Sequence, residues 1–154
     1  MEKTNAIRML DRQKAAYQVH TYDGGALSGV EVAAVLQQEP ARVFKTLVTV
    51  GKSGGHYVFM IPVAEELDLK KAAKSVGEKF IEMLPQKELL RLTGYIHGGC
   101  SPIGMKKQFP TVVHETAATF DRIFFSAGRI GMQIETAPAV LERAVRLIYA
   151  DVTV

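Results

Sequence analysis

The residues of this chain best equipped for chemistry lie in Gly98-Gly99-Cys100-Ser101-Pro102-Ile103-Gly104-Met105-Lys106-Lys107, a glycine-dense loop that runs straight into two lysines. Glycines let amide N–H groups approach an anion with no side chain in the way, Pro102 fixes the direction of the turn, and the lysines add a cationic field. The combination suits a pocket for a phosphorylated or nucleotide-bearing ligand. Taken alone, the more ordinary reading of the segment is a Gly-Pro loop followed by a solvated basic stretch. Lys45 is the other candidate, because it interrupts the apolar run Val43-Phe44-Lys45-Thr46-Leu47-Val48. On a half-buried strand it either occupies the wet face or points a cation into a cleft, where it would hold a phosphate or polarise a carbonyl.

Nucleophilic catalysis by the protein has little support in the sequence. No Gly-x-Ser-x-Gly elbow occurs, and Ser101 precedes a proline without an evident His and Asp partner pattern. Cys100 follows His97 by three residues, a spacing that does not establish a dyad, and is read as a structural or binding cysteine. One His-x-x-Cys pair supplies only two zinc ligands, and His20, His56 and His114 are scattered, so neither a metal nor a cofactor is expected. Residues 122–131 read as two strands joined by a tight turn, with Gly128 and Gly131 at permissive positions. Glu135 reads as a strand end and Tyr22-Asp23-Gly24-Gly25 as a turn.

The elements that must position these residues follow from periodicity. Thr4 or Asn5 caps a first helix with Ile7, Met9 and Leu10 as its apolar stripe, ending near Lys14. Alternation over residues 17–22 predicts a strand, and Ser28 followed by Glu31 is a capping box for a helix through Leu36, closed by Pro40. Residues 43–50 and 56–61 are β-rich runs around Gly51-Lys52-Ser53-Gly54-Gly55, a hairpin signal. Helices are predicted over about 69–76 and 85–92, short strands over 111–114, 122–126 and 131–135, and a last helix from Pro138 to about Ile148. Strict βαβ alternation fails, so the class is α+β with a mixed, strongly curved sheet.

A length of 154 residues, with 47% apolar and 23% charged residues, fits one globular domain over 1–154 with its own core. The N-terminal residues lack the apolar core of a signal peptide, and no apolar run approaches the ~18 residues of a membrane span. A cytoplasmic protein with no membrane partner is therefore expected. The single cysteine excludes an internal disulfide. A net charge of +3 is a mild basic bias without a polybasic tail. Its distribution matters more: Lys70, Lys71, Lys74 and Lys79 fall in one segment and Lys106 and Lys107 in another. Solvated helix faces explain most such runs, and a basic face is also what loose phosphate-backbone binding requires.

Several segments, in this order over nearly the whole chain, resemble the YbaK/EbsC family of aminoacyl-tRNA deacylases. They are His20-Thr21-Tyr22, Phe44-Lys45-Thr46-Leu47, Pro62-Val63 followed by Leu67-Asp68-Leu69-Lys70-Lys71-Ala72-Ala73-Lys74, Thr93-Gly94-Tyr95, Gly98 to Lys107, and Ser126-Ala127-Gly128-Arg129-Ile130-Gly131. The resemblance implies the fold of the editing domain inserted in bacterial prolyl-tRNA synthetases, a barrel-like mixed sheet flanked by helices. It also implies trans editing, and the Leu-Asp-Leu-Lys-Lys segment resembles the branch that removes cysteine from proline tRNA. Lys45 corresponds to the family's essential lysine, facing the substrate's 3′ end. Gly98 and Pro102 match the family's Gly-x-x-x-Pro loop, Tyr22 an aromatic position lining the pocket, and some relatives carry an acidic residue where Gln133 stands.

The resemblance thus marks Lys45, Gly98 and Gly99 as catalytic. Tyr22, Thr46, Cys100, Ser101, Pro102, Gly128, Arg129, Gly131 and Gln133 are marked as substrate-binding. In the cysteinyl branch the substrate's own thiol attacks its ester, which fits the missing protein nucleophile, and backbone amides of residues 98–101 and 128–131 are the candidates for holding the carbonyl oxygen. The expected partner is aminoacyl-tRNA, bound mainly through its 3′ end and weakly at this net charge, with prolyl-tRNA synthetase as a further candidate. Two alternatives remain open: a deacylase for Ala-tRNA(Pro) or Ser-tRNA working by water attack, and a non-catalytic RNA- or nucleotide-binding adaptor.

Overall fold

Local sequence signals account for the helices of the computed structural model, which describes residues 2–25 and 27–154. In α1 (Asn5–Arg12) Thr4 Oγ1 accepts the Ile7 N–H at 3.2 Å, and Ala6, Ile7 and Leu10 form the buried stripe. Both arms of the capping box close on α2 (Gly29–Val35): the Glu31 N–H donates to Ser28 Oγ at 3.2 Å and the Ser28 N–H to Glu31 Oε1 at 2.9 Å. Asp68 caps α3 (Leu69–Val76) by accepting the Lys70 and Lys71 N–H groups, each at 3.0 Å. The helix α4 (Gln86–Thr93) ends at Gly94 in the left-handed region, and α5 (Pro138–Ala144) starts on a proline that fixes its first turn.

Among the described residues eight strands form two sheets. In the first, β1 (Tyr17–Thr21), β7 (Met132–Thr136) and β6 (Ile123–Arg129) are antiparallel in the order β1-β7-β6. The second contains β2 (Phe44–Gly51), β3 (His56–Pro62), β4 (Ile81–Met83), β5 (Thr111–His114) and β8 (Leu147–Ala150), in the order β4-β2-β3-β5-β8. Its β2 pairs are antiparallel, whereas β3–β5 and β5–β8 are parallel, so the sheet is mixed as expected. Among the described residues the two sheets touch through a bridge between Val43 and Phe124 and do not close into a barrel.

The main core lies where α1 and α5 cover both sheets, with Ile7, Leu10, Phe44, Met60, Phe125, Ile134 and Leu141 buried together. Truncating any of the larger ones to alanine should cost about 2–5 kcal/mol. A smaller cluster of Phe59, Ile61, Ala72, Ala73 and Ile81 fixes α3 to the second sheet. Among the described residues no helix is long and apolar enough to cross a membrane.

The end of the chain departs from expectation. The last helix stops at Ala144, not near Ile148, because Val145 turns extended at φ −138°, ψ 154°. The β-prone Leu147, Ile148 and Tyr149 then pair in parallel with the edge of β5. The short β4 was likewise not expected as a strand; Ile81 is its one buried side chain, and pairing with the end of β2 determines it.

Candidate active site

The site forms where the sheets part. Immediately after the Val43–Phe124 bridge to the first sheet, the chain enters β2 of the second, and Phe44, Lys45 and Thr46 lie in the wedge where the two sheets diverge. The start of α2 and the segment after α4 border it. Together they enclose a cavity of about 240 Å³ lined by Tyr22, Ser28, Lys45, Thr46, His97, Gly98, Cys100, Ser126 and Gln133 over a base of Val32, Val43, Phe44, Leu47, Val63 and Leu89. Its size is just under the usual range for small-molecule pockets and suits a small terminal group.

Three features give the cavity its chemistry. Lys45 is half-buried and takes part in none of the ion pairs of the described residues, so its charge reaches the cavity uncompensated. Thr46 Oγ1 and Gln133 Oε1 are buried without a hydrogen-bond partner among the described residues. An unsatisfied buried polar atom costs about 1–3 kcal/mol, and finding two on one cavity marks polar groups kept for a ligand. Gln133 sits at the centre of the first sheet, opposite His20 on β1 and Ser126 on β6, so the strands on both sides hold it in place. Next to it, His20 Nε2 and Glu135 Oε1 are paired at 2.8 Å.

The glycine loop is shaped by packing. Gly98 takes φ +84°, in the left-handed region. A Cβ on Gly99 would come within 2.9 Å of Ile130 N and 3.0 Å of Arg129 Cα, so the loop backbone rests directly on the backbone of the β6–β7 turn. Tyr95 holds the far side, its hydroxyl donating to Ile103 O at 2.6 Å. Burial pushes the Cys100 thiol up to about 12, leaving it protonated at neutral pH and a poor nucleophile.

Of the expected site residues, Tyr22, Lys45, Thr46, Gly98, Cys100 and Gln133 meet on the cavity, and Gly99, Ser101, Pro102, Gly128, Arg129 and Gly131 do not line it. The Gly99 N–H donates to Ile96 O at 3.0 Å and the Gly128 N–H to Ser126 Oγ at 3.1 Å, so these amides are engaged within the protein. That narrows the carbonyl-binding candidates to the Gly98 and Cys100 amides, which belong to residues lining the cavity and have no acceptor among the described residues. Ser101 is buried behind the loop, its Oγ accepting the Ile103 N–H at 3.3 Å. Arg129 points outward and meets Glu2 at 3.5 Å. Gly131 supports the site indirectly, its carbonyl accepting the Tyr22 N–H at 3.0 Å.

Sequence reasoning missed His97 and Ser126 as lining residues. The only signals were the His-x-x-Cys spacing for the first and the alternation of the strand for the second. Among the described residues, no three His, Cys, Asp or Glu side chains gather as a metal-ligand group.

Comparison with known proteins identifies the family of the chain. Residues 25–144 match the model of the aminoacyl-tRNA editing domain. The chain is 49% identical to "Putative Cys-tRNA(Pro)/Cys-tRNA(Cys) deacylase EbsC" of Enterococcus faecalis, an alignment covering 99% of this chain and 94% of that protein. Its fold matches the crystal structure of hypothetical protein APE2540 with a TM-score of 0.89 at 22% identity, over 98% of this chain and 100% of that one. A crystal structure described as "a putative trans-editing enzyme for prolyl tRNA synthetase" matches with a TM-score of 0.86 at 23% identity, over 100% and 99% of the two chains. At such identities the two structures speak for the fold, and membership rests on the domain match and the Enterococcus relative: the chain belongs to the aminoacyl-tRNA editing domain family.

Proposed function

We propose that this protein is a trans-acting aminoacyl-tRNA deacylase that removes cysteine from mischarged tRNA(Pro), with the aminoacylated 3′ end held in the cavity at the start of β2. The observation that carries the reading is the cavity itself, where an uncompensated Lys45 and two unpartnered acceptors, Thr46 Oγ1 and Gln133 Oε1, meet in a space sized for an aminoacyl group. The name given to the Enterococcus relative supports the choice of amino acid.

Cleaving an aminoacyl ester builds negative charge on the carbonyl oxygen, so donors fixed in advance around that oxygen lower the barrier. The Gly98 and Cys100 amides and the Lys45 ammonium are the donors available. A protein nucleophile is not required: the thiol of the bound cysteinyl group attacks its own ester carbonyl, the C–S bond forms as the bond to the ribose oxygen breaks, and the thiol proton passes to that oxygen. The products are a cyclic thiolactone and free tRNA. The protein contributes by holding thiol and carbonyl in line, an effect on the order of 7 kcal/mol or more in well-oriented intramolecular reactions.

One observation favours a second reading. Thr46 Oγ1 and Gln133 Oε1 can equally orient a water, which would hydrolyse alanyl or seryl esters on the same scaffold. Incubating the protein with Cys-, Ala- and Ser-tRNA(Pro) prepared separately and following ester loss decides between them. Selective loss of cysteine supports the first reading, loss of alanine or serine the second, and binding without release an adaptor. A weakly binding editor gains effective concentration by associating with prolyl-tRNA synthetase, which makes that enzyme the candidate protein partner.

A further inference from the structure

We propose that the exposed face of α1, together with the end of the glycine loop, binds the phosphate backbone of the RNA whose 3′ end enters the cavity, an inference that rests on the proposed tRNA substrate. An open groove of about 650 Å³ runs along this face, its cationic lining including Arg8 and Arg12, and Lys106 and Lys107 follow directly on its Gly104–Met105 edge. The carboxylate in its lining, Asp11, is already engaged by Lys3 Nζ at 2.6 Å and by the Tyr17 hydroxyl, and those hydrogen bonds hold it below the usual carboxylate range. Glu2 is likewise taken up by Arg129. Arg8 reaches only Asn5 Oδ1, at 3.5 Å, and Arg12, Lys106 and Lys107 make no ion pair among the described residues. Four positive charges therefore remain for an external anion.

Continuity with the cavity identifies the anion. Gly98 and Cys100 line the cavity and Gly104 lines the groove. Cys100 and Gly104 are four positions apart in the chain and so lie within about 14 Å of each other, a reach covered by a few nucleotides. The relation is rigid as well as close, because a Cβ on Gly104 would fall 2.8 Å from Ala6 N and Asn5 C, so the loop backbone sits directly on the first turn of α1. Ser101, Pro102 and Ile103 are buried between cavity and groove, so an extended polyanion leaving the cavity has to cross over this loop to reach the exposed Arg8, Arg12, Lys106 and Lys107. The lysines of α3 are placed differently. Lys71 is bound to Asp151 and Thr153 O, the groove beside Lys70, Lys74 and Lys79 contains Glu78, and α3 packs on β4, which pairs with the end of β2 remote from Lys45.

The test compares R8A/R12A/K106A/K107A with K70A/K74A/K79A in the full chain, using Cys-tRNA(Pro) for turnover and uncharged tRNA(Pro) for binding across a salt series. All seven side chains are on the surface, and thermal midpoints confirm that both variants fold. The first variant should raise KM at least about tenfold with kcat within about twofold, and should lower the log–log salt slope of binding by about 3, as loss of four phosphate contacts requires. The α3 variant should leave both readouts near wild type. With cysteinyl-CCA trinucleotide as substrate, the KM effect of the first variant should disappear. Restoring the charges as R8K/R12K with native Lys106 and Lys107 should recover the slope. An unchanged slope and KM would overturn the proposal, as would an equal defect on the trinucleotide, or intact tRNA binding with loss only of association with prolyl-tRNA synthetase. If wild-type protein releases no cysteine, the deacylase reading fails, and the salt slopes for uncharged tRNA still decide whether this face binds RNA.

Discussion

Replacing Lys45 by methionine removes one charge while keeping most of the aliphatic stem. Because Lys45 has no carboxylate partner among the described residues, the substitution strands no buried counter-charge, and stability should change by less than about 1 kcal/mol. The catalytic effect should be much larger. A unit charge about 4 Å from a developing oxyanion is worth about 4 kcal/mol at an effective dielectric of about 20, and losing one preorganised donor costs about 10²–10³ in rate. The expected result is a fall of about a thousandfold in the single-turnover rate on Cys-tRNA(Pro), with a thermal midpoint within a few degrees of wild type. Lys45→Arg should fail comparably, since a planar fork does not reproduce a compact ammonium. A Lys45→Met variant that turns over within about threefold of wild type would refute the reasoning, and a collapsed thermal transition would assign Lys45 to the fold instead.

Three further outcomes follow from the site. Thr46→Val should hold or raise stability, by up to about 1–3 kcal/mol in urea unfolding, because the oxygen removed has no partner, while lowering activity; a clear loss of stability would show that the hydroxyl is satisfied in solution. Gly99→Ala should destabilise by about 1–3 kcal/mol, since the added methyl meets the backbone of residues 129–130, which cannot yield as a side chain would; an unchanged unfolding midpoint would contradict the tight loop-on-turn packing. Cys100→Ala should retain substantial activity. At pH 8 a thiol raised to about 12 is only about 10⁻⁴ thiolate, so alkylation of Cys100 should run about a thousandfold slower than that of free cysteine and should quicken as the pH is raised toward 12. Fast alkylation at neutral pH, or a covalent aminoacyl adduct on Cys100, would count against its place as a neutral part of the cavity.

Legibility from sequence followed the range of the interactions involved. The capping box of Ser28 and Glu31, the Gly51–Gly55 hairpin and the stripe of α1 are set by neighbours a few residues apart, and these elements appear where expected. What β8 forms depends on β5, more than thirty residues earlier in the chain, so a run opening on Pro138 reads as a helix continuing past Ala144. The site divides in the same way. Lys45 stands out because a charge interrupts an apolar strand, and the glycines because they crowd one loop. Gln133 acquires meaning from the residues on β1 and β6 across from it, and His97 only from the closure of the segment after α4 over the wedge. Composition cannot show that the Gly99 and Gly128 amides are already engaged, since both bonds are set by loop conformation.

The most direct measurement is the rate and product of release from tRNA(Pro) carrying cysteine, serine, alanine or S-methylcysteine. Attack by the substrate thiol predicts fast release of cysteine alone, with the other three slower by several decades, in keeping with the loss of an intramolecular nucleophile. The first product should be the cyclic thiolactone, trappable before it opens to free cysteine. Comparable release of all four amino acids, with no thiolactone at early times, would contradict the account and place a bound water at Thr46 and Gln133 as the attacking group.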